Sequence, residues 1–169
     1  YPEQYEEMKK FIEEGRWHIA GSSWEASDVL VPSVEASIRN IMLGQTYYRQ
    51  EFGKEGTDIF LPDCFGFGWT LPTIAAHCGL IGFSSQKLDW RNHPFYGKSK
   101  HPFTIGLWKG IDGKQVMLAH GYDYGRKWNN EDLSKNKDLE KLAQRTPLNT
   151  VYRYYGTGDI GGSPTLGSV

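Results

Sequence analysis

The sequence predicts an α/β fold, with a mostly parallel sheet joined by crossover helices. Three observations predict it. Short apolar runs alternate with helix-period patterns through the first half of the chain. Each helix pattern ends on a glycine. Polar, chemistry-bearing residues directly follow the apolar runs, as they do where parallel strands end at a carboxyl edge.

Taken in order, Tyr5 to Glu14 reads as an amphipathic helix, with Met8, Phe11 and Ile12 at helical spacing and Gly15 as its stop. Arg16 to Ala20 (RWHIA) alternates like a strand. The loop SSWEASDVLVPS follows, and Ser33 is placed to cap a helix that runs to about Glu51 and ends at Gly53. Asp58 to Leu61 (DIFL) reads as a buried strand. Leu71 to Cys78 is a helix with Pro72 in its first turn and Gly79 after its end. Ile81 to Ser84 (IGFS) begins another strand. Phe103 to Trp108 and Gln115 to His120 form a hairpin across Ile111-Asp112-Gly113, because Asp-Gly is a strong tight-turn pair. A polar helix over about Asn130 to Gln144, a strand over Val151 to Tyr155 and a glycine-rich loop, GTGDIGGSPT, complete the chain.

Composition narrows the function. The 169 residues carry a net charge of −1 without a clustered basic face, so the pattern does not predict nucleic-acid binding. No apolar run is long enough to span a bilayer. The opening residues, YPEQYEEMKKFIEEG, lack the apolar core of a signal peptide and read as the interior of a longer protein. Rings and glycines are abundant, at 6 Trp, 10 Tyr, 8 Phe and 20 Gly. Aromatic planes beside open backbone suit a cleft for sugars, whose apolar faces stack on rings; the same rings would also serve a core. Cys64 and Cys78 make no disulfide framework and read as packing residues.

The candidate chemistry centres on Leu61-Pro62-Asp63-Cys64-Phe65-Gly66-Phe67-Gly68-Trp69-Thr70-Leu71-Pro72. Asp63 follows a strand, behind a proline that fixes the approach. Its carboxylate could be a nucleophile, a general base, a metal ligand or the cap of the next turn. Gly66 and Gly68 would let a ligand lie close to the backbone. Asp159 sits among glycines after the last expected strand, as a displayed acid or a plain turn residue. Two acids behind separate strands of one sheet could form the carboxylate pair of a glycosidase. Lys87, Asp89 and Trp90 follow another strand and could hold sugar hydroxyls and a sugar face, or simply be solvated. His120 ends the MLAH run before Gly121-Tyr122, as a cleft residue or a structural histidine. No two histidines stand at metal-binding spacing.

Four stretches together, VPSVEASIRNIMLGQTYYRQEFG, LPDCFGFGWTLPTIAAHCGLIGFSSQKLDW, FTIGLWKGIDGKQVMLAH and YYGTGDIGGSPT, resemble the catalytic domain of family-38 glycoside hydrolases, the retaining, zinc-dependent α-mannosidases. The resemblance runs from Gly15 to about Thr165 and implies part of an irregular α/β barrel. It implies that Asp63 is the nucleophile and also a zinc ligand, and that Asp159 lies on the acid/base loop. It further implies that Lys87, Trp90, His120 and Tyr122 line the sugar subsite. The implied partner is a mannose-containing oligosaccharide, with no nucleic acid and no membrane, and the parent protein could be an oligomer. The glycine-rich last stretch is most similar to the bacterial and cytosolic branch, which favours the cytoplasm.

The family's His-x-Asp zinc motif and its downstream zinc histidine have no counterpart here, so Asp63 is the one family ligand within the chain. Residues 1–169 are therefore expected to form a partial catalytic domain, with the family's first strand and the C-terminal part of the barrel outside it. Alone, this piece is expected neither to hold zinc tightly nor to hydrolyse a mannoside. The competing expectations are a non-catalytic carbohydrate-binding or scaffold module and, last, a metal-dependent deacetylase on a similar barrel.

Overall fold

The computed structural model describes residues 1–89, 104–121 and 132–154. Helices α1 (Pro2–Glu13) and α2 (Val34–Phe52) lead into strand β1 (Asp58–Phe60), helix α3 (Leu71–His77) and strand β2 (Gly82–Ser85). A 3₁₀ turn (Lys87–Asp89) follows. The hairpin β3 (Ile105–Lys109) and β4 (Gln115–His120), a second 3₁₀ turn (Leu133–Lys135) and helix α4 (Lys137–Ala143) complete the described elements. The fold is mixed α/β, as expected. Among the described residues, no helix is long and apolar enough to cross a membrane.

The sheet has the order β1-β2-β4-β3. β1 pairs β2 and β2 pairs β4 in parallel, while β3 runs antiparallel to β4 through the Asp112-Gly113 turn. Parallel neighbours need a crossover between them, and α3 supplies the one from β1 to β2. Ile59, Leu61, Phe83, Val116 and Leu118 of the sheet bury against Leu71, Ile74 and Ala75 of α3 and Ile41 of α2. Phe67 and Trp108 meet Phe83 edge-on, at ring-centroid separations of 5.1 Å each. Edge-to-face contact is the geometry that ring quadrupoles favour.

α2 begins where the sequence says it should. Ser33 Oγ accepts the Ala36 N–H, and Gly53 ends the helix in the left-handed region at φ 61°. Two interior positions of α2 then set what packs on it. Gly44 faces the segment 22–24, and a Cβ there would stand 2.8 Å from the Trp24 nitrogen, with the Ser22 carbonyl oxygen closer still. Gln45, buried, donates from Nε2 to the Gly56 carbonyl at 2.7 Å and accepts the Gly56 N–H at 2.9 Å. One side chain thus closes the loop into β1 in the way a neighbouring strand would.

Three expected elements differ. Arg16 to Ala20 is not a strand: the chain leaves α1 through hydrogen bonds from Arg16 N and Trp17 N to the Phe11 carbonyl. Gly21, at φ 75°, then gives its N–H to the Asp58 side chain, so a side-chain bond replaces the ladder beside β1. Residues 151–154 are not a strand either. Tyr152 N–H goes to Thr104 Oγ1, and Tyr154 packs on Phe60 with ring centroids 6.1 Å apart. The polar helix is divided, with its expected first two residues outside the described set. Asp132 Oδ1 takes the Ser134 N–H, and Asn136 Oδ1 takes those of Asp138 and Leu139. Short polar side chains that capture backbone N–H groups start helices and interrupt them.

The Gly44 contact is against backbone, which cannot swing away. Gly44→Ala is expected to destabilise by about 1–2 kcal/mol in chemical denaturation, overpacking outweighing alanine's helix preference. Gln45→Leu strands a buried N–H and C=O of Gly56 and is expected to cost about 1–3 kcal/mol in the same assay.

Candidate active site at the carboxyl edge of the sheet

The three mutually parallel strands all point their carboxyl ends to one edge. β1 leads to Asp63, β2 to Gln86 and Lys87, and β4 ends on His120, which pairs in register with Ser85. Leu61 N–H extends the β1–β2 ladder by donating to the Ser84 carbonyl at 3.0 Å. Pro62 has no N–H to give, so pairing stops there and Asp63 leaves the sheet plane.

Asp63 meets Lys87 at this edge. Lys87 Nζ lies 2.9 Å from Asp63 Oδ1, with the lysine side chain 14% exposed and the aspartate 50%. Lys87 is held from two further directions. Its N–H donates to Ser85 Oγ at 3.1 Å, and its ammonium stands 4.9 Å from the centroid of the Phe65 ring. A cation beside an aromatic ring and a carboxylate is a stable arrangement, since both the π face and the anion offset lost hydration. The carboxylate, by contrast, keeps an open side. It is held at one oxygen and half exposed, which suits attack on an electrophilic carbon.

Polar residues are buried at the carboxyl ends of β2 and β4 and at the start of the hairpin: Ser84, Ser85, Gln86, Thr104 and His120. Gln86 is 1% exposed and His120 3%. The His120 N–H donates to the Thr104 carbonyl at 2.8 Å, tying β4 to the start of the hairpin. Apolar side chains dominate the middle of the sheet, and polar ones gather at its carboxyl end. A packed core avoids such a set, whereas a site needs it.

Cys64, next to Asp63, serves packing and anchoring. Its thiol donates to the Ser27 carbonyl, with Sγ to O at 3.1 Å, and so ties the Asp63 turn to the 22–33 loop. Burial, then the charges of Asp28 and Asp63, push its pKa up, so it is no activated nucleophile. Asp28 itself takes the N–H groups of Leu30 and Val31. Gly66 was expected to make room for a ligand. Its space is instead filled from within: Leu30 Cδ1 stands 2.5 Å from where a Cβ would be, and φ there is 150°.

Of the residues singled out from sequence, the structure brings together Asp63 and Lys87 and sets His120 at the end of the neighbouring strand. Trp90, Tyr122 and Asp159 lie outside the described residues, and so does the side chain of Asp89. Phe65 was not singled out. Its signal was its position two residues past the acid in an aromatic-rich turn. Among the described residues no three His, Cys, Asp or Glu side chains come together as a metal site. Asp63 offers one donor and faces a lysine ammonium, so these residues do not by themselves fit a zinc ion.

The unequal burial of the ion pair sets an unequal cost for breaking it. Asp63→Ala takes the carboxylate away from an ammonium only 14% exposed and is expected to destabilise by about 1–2 kcal/mol. Lys87→Met leaves a carboxylate that water can reach and is expected to cost under about 1 kcal/mol. Urea titration of both variants measures the difference.

A family model described as the glycosyl hydrolases family 38 N-terminal domain matches residues 1–167. Among curated proteins, Alpha-mannosidase G of Dictyostelium discoideum is 36% identical over 172 residues, covering 98% of this chain and 15% of that protein. Alpha-mannosidase 2C1 of Homo sapiens is 33% identical over 171 residues, with the same two shares, 98% and 15%. The chain thus spans only about 15% of the length of these relatives. Among solved structures, an alpha-mannosidase from Enterococcus faecalis V583 superposes with a TM-score of 0.61 at 20% identity, over 85% of this chain and 16% of that one. A 4-alpha-glucanotransferase from Thermococcus litoralis reaches 0.55 at 13% identity, over 70% of this chain and 18% of that one. The carboxyl-edge acid and its lysine therefore sit in a chain that belongs to glycosyl hydrolase family 38, in the N-terminal domain of that family.

Proposed function

We propose that this chain is the nucleophile-bearing part of an α-mannoside hydrolase that acts with retention. The observation that carries the proposal is the half-exposed Asp63 carboxylate, held by the Lys87 ammonium at 2.9 Å at the edge where the parallel strands end. The ion pair fixes the direction of the carboxylate, so little reorganisation precedes attack.

In the first step an Asp63 oxygen attacks the anomeric carbon as the glycosidic bond breaks. A carboxylic acid, Asp159 in this reading, gives its proton to the departing oxygen. The product is a mannosyl ester of Asp63. In the second step the Asp159 carboxylate takes a proton from water, whose oxygen attacks the same carbon and releases mannose and the free Asp63 carboxylate. Attack occurs once from each face, which retains the anomeric configuration. Lys87, Trp90, His120 and Tyr122 hold the sugar in this reading. In the full-length protein, Asp63 would serve as one ligand of a zinc ion only with further donors from residues outside this chain, and the ion would supply positive charge near the sugar hydroxyls.

The test is Asp63→Asn in the full-length protein. Asparagine keeps an oxygen for Lys87 but cannot form the ester. Turnover of an aryl α-mannoside is expected to fall by on the order of 10⁴ or more, with the native circular-dichroism spectrum retained. Activity near wild type would refute the assignment. Binding of mannose oligomers without hydrolysis by the unmutated protein would select a carbohydrate-binding module instead.

A further inference from the structure

Away from the Asp63 edge, the segment 22–24 is fastened to α2 with unusual care. Trp24 N–H donates to the Asn40 carbonyl at 2.9 Å, and Glu25 N–H donates to Asn40 Oδ1 at 2.9 Å. Asn40 Nδ2 returns a bond to the Glu25 carbonyl at 2.8 Å. Gly44 removes the side chain that would keep this segment off the helix, although glycine inside a helix costs about 1 kcal/mol relative to alanine. The residue positioned by all this is Trp24, yet its side chain is not used to fill the core. It is 59% exposed. Its ring meets Tyr47 nearly at right angles, at 79° with centroids 5.4 Å apart.

The two rings form the corner of a hollow of about 320 Å³, lined by Ser23, Trp24, Gly44, Tyr47 and Tyr48. That volume lies within the range of small-ligand sites. Every described lining residue is uncharged, so the hollow offers no counter-charge to a phosphate or carboxylate ligand. The lining residues combine aromatic rings with hydroxyl-bearing side chains, those of Ser23, Tyr47 and Tyr48. Tyr47 is itself oriented, because its hydroxyl lies 3.3 Å from that of Tyr5, which donates to Glu51 Oε2 at 2.8 Å. A neutral ligand with one apolar face and a rim of hydroxyls matches this division, and a hexopyranose has that shape.

We propose that Trp24, Tyr47, Tyr48 and Ser23 form an auxiliary sugar-binding site, in which one pyranose ring of an oligosaccharide stacks on the indole and its hydroxyls meet Ser23 and the tyrosines. A rigid, preplaced ring loses little entropy on binding, which is the advantage of seating Trp24 through backbone bonds. The site rests on the proposed activity only in the choice of mannose as the probe sugar.

The experiment follows the indole Nε1–H resonance of Trp24 in the full-length ¹⁵N-labelled protein, assigned by its loss in Trp24→Phe, during titration with mannotriose. The Asp63→Asn background prevents hydrolysis. The resonance is expected to shift saturably at millimolar sugar, and Ser23→Ala and Tyr48→Phe are expected each to weaken binding severalfold. An indole resonance that does not move up to tens of millimolar mannotriose overturns the proposal, whether or not the variants fold. Because the readout is binding at Trp24, its outcome is independent of whether Asp63→Asn abolishes turnover.

Discussion

The parallel register β1–β2–β4 is the constraint on which the rest of the molecule depends. Strands that run the same way must end on the same side, so whatever follows each of them is delivered to one edge. Asp63, Lys87 and His120 lie far apart in sequence and have no local reason to meet. They converge because Ile59 aligns with Phe83, and Ser85 with His120, in two parallel ladders that share β2. A slip of one residue would exchange the buried and exposed faces of a strand, and the Asp63–Lys87 pair would be lost with it.

Stability and chemistry are divided along the strands. The middle of the sheet packs Ile59, Phe83, Val116 and Leu118 against α2 and α3. Its carboxyl end buries serine, glutamine, threonine and histidine instead. Polar groups there add little net stability compared with apolar ones of similar size, so a core built for stability alone would not use them. The apolar layer beneath holds the edge in shape while the edge carries the charge.

The likeness to a 4-alpha-glucanotransferase at 13% identity shows that this frame is compatible with very different sequences. Fold alone therefore says little about the reaction. The reaction has to come from particular residues at the edge: Pro62 ending the ladder, Asp63 beyond it, and Lys87 held over Phe65. The α2 face is furnished separately. Gly44 and Asn40 seat a second group of residues there, around an exposed tryptophan, without any part of the Asp63 turn.

Local features were legible in the sequence because their causes are local. The Ser33 cap, the Gly53 stop, Pro72 in the first turn of α3 and the Asp112-Gly113 hairpin are each decided by residues within one turn of themselves. So was the position of Asp63 just past a strand. The tertiary structure decided what depends on distant partners. Alternating residues in RWHIA and VYRYY have strand character, but a strand exists only where a neighbour offers free backbone groups. Asp58 takes the Gly21 N–H by side chain and Thr104 takes that of Tyr152. Nor could sequence show that Leu30, rather than a ligand, fills the space at Gly66, or that Lys87 reaches Asp63. Side-chain partners across a fold are set by packing in three dimensions, and a linear pattern records only which residues are available to be paired.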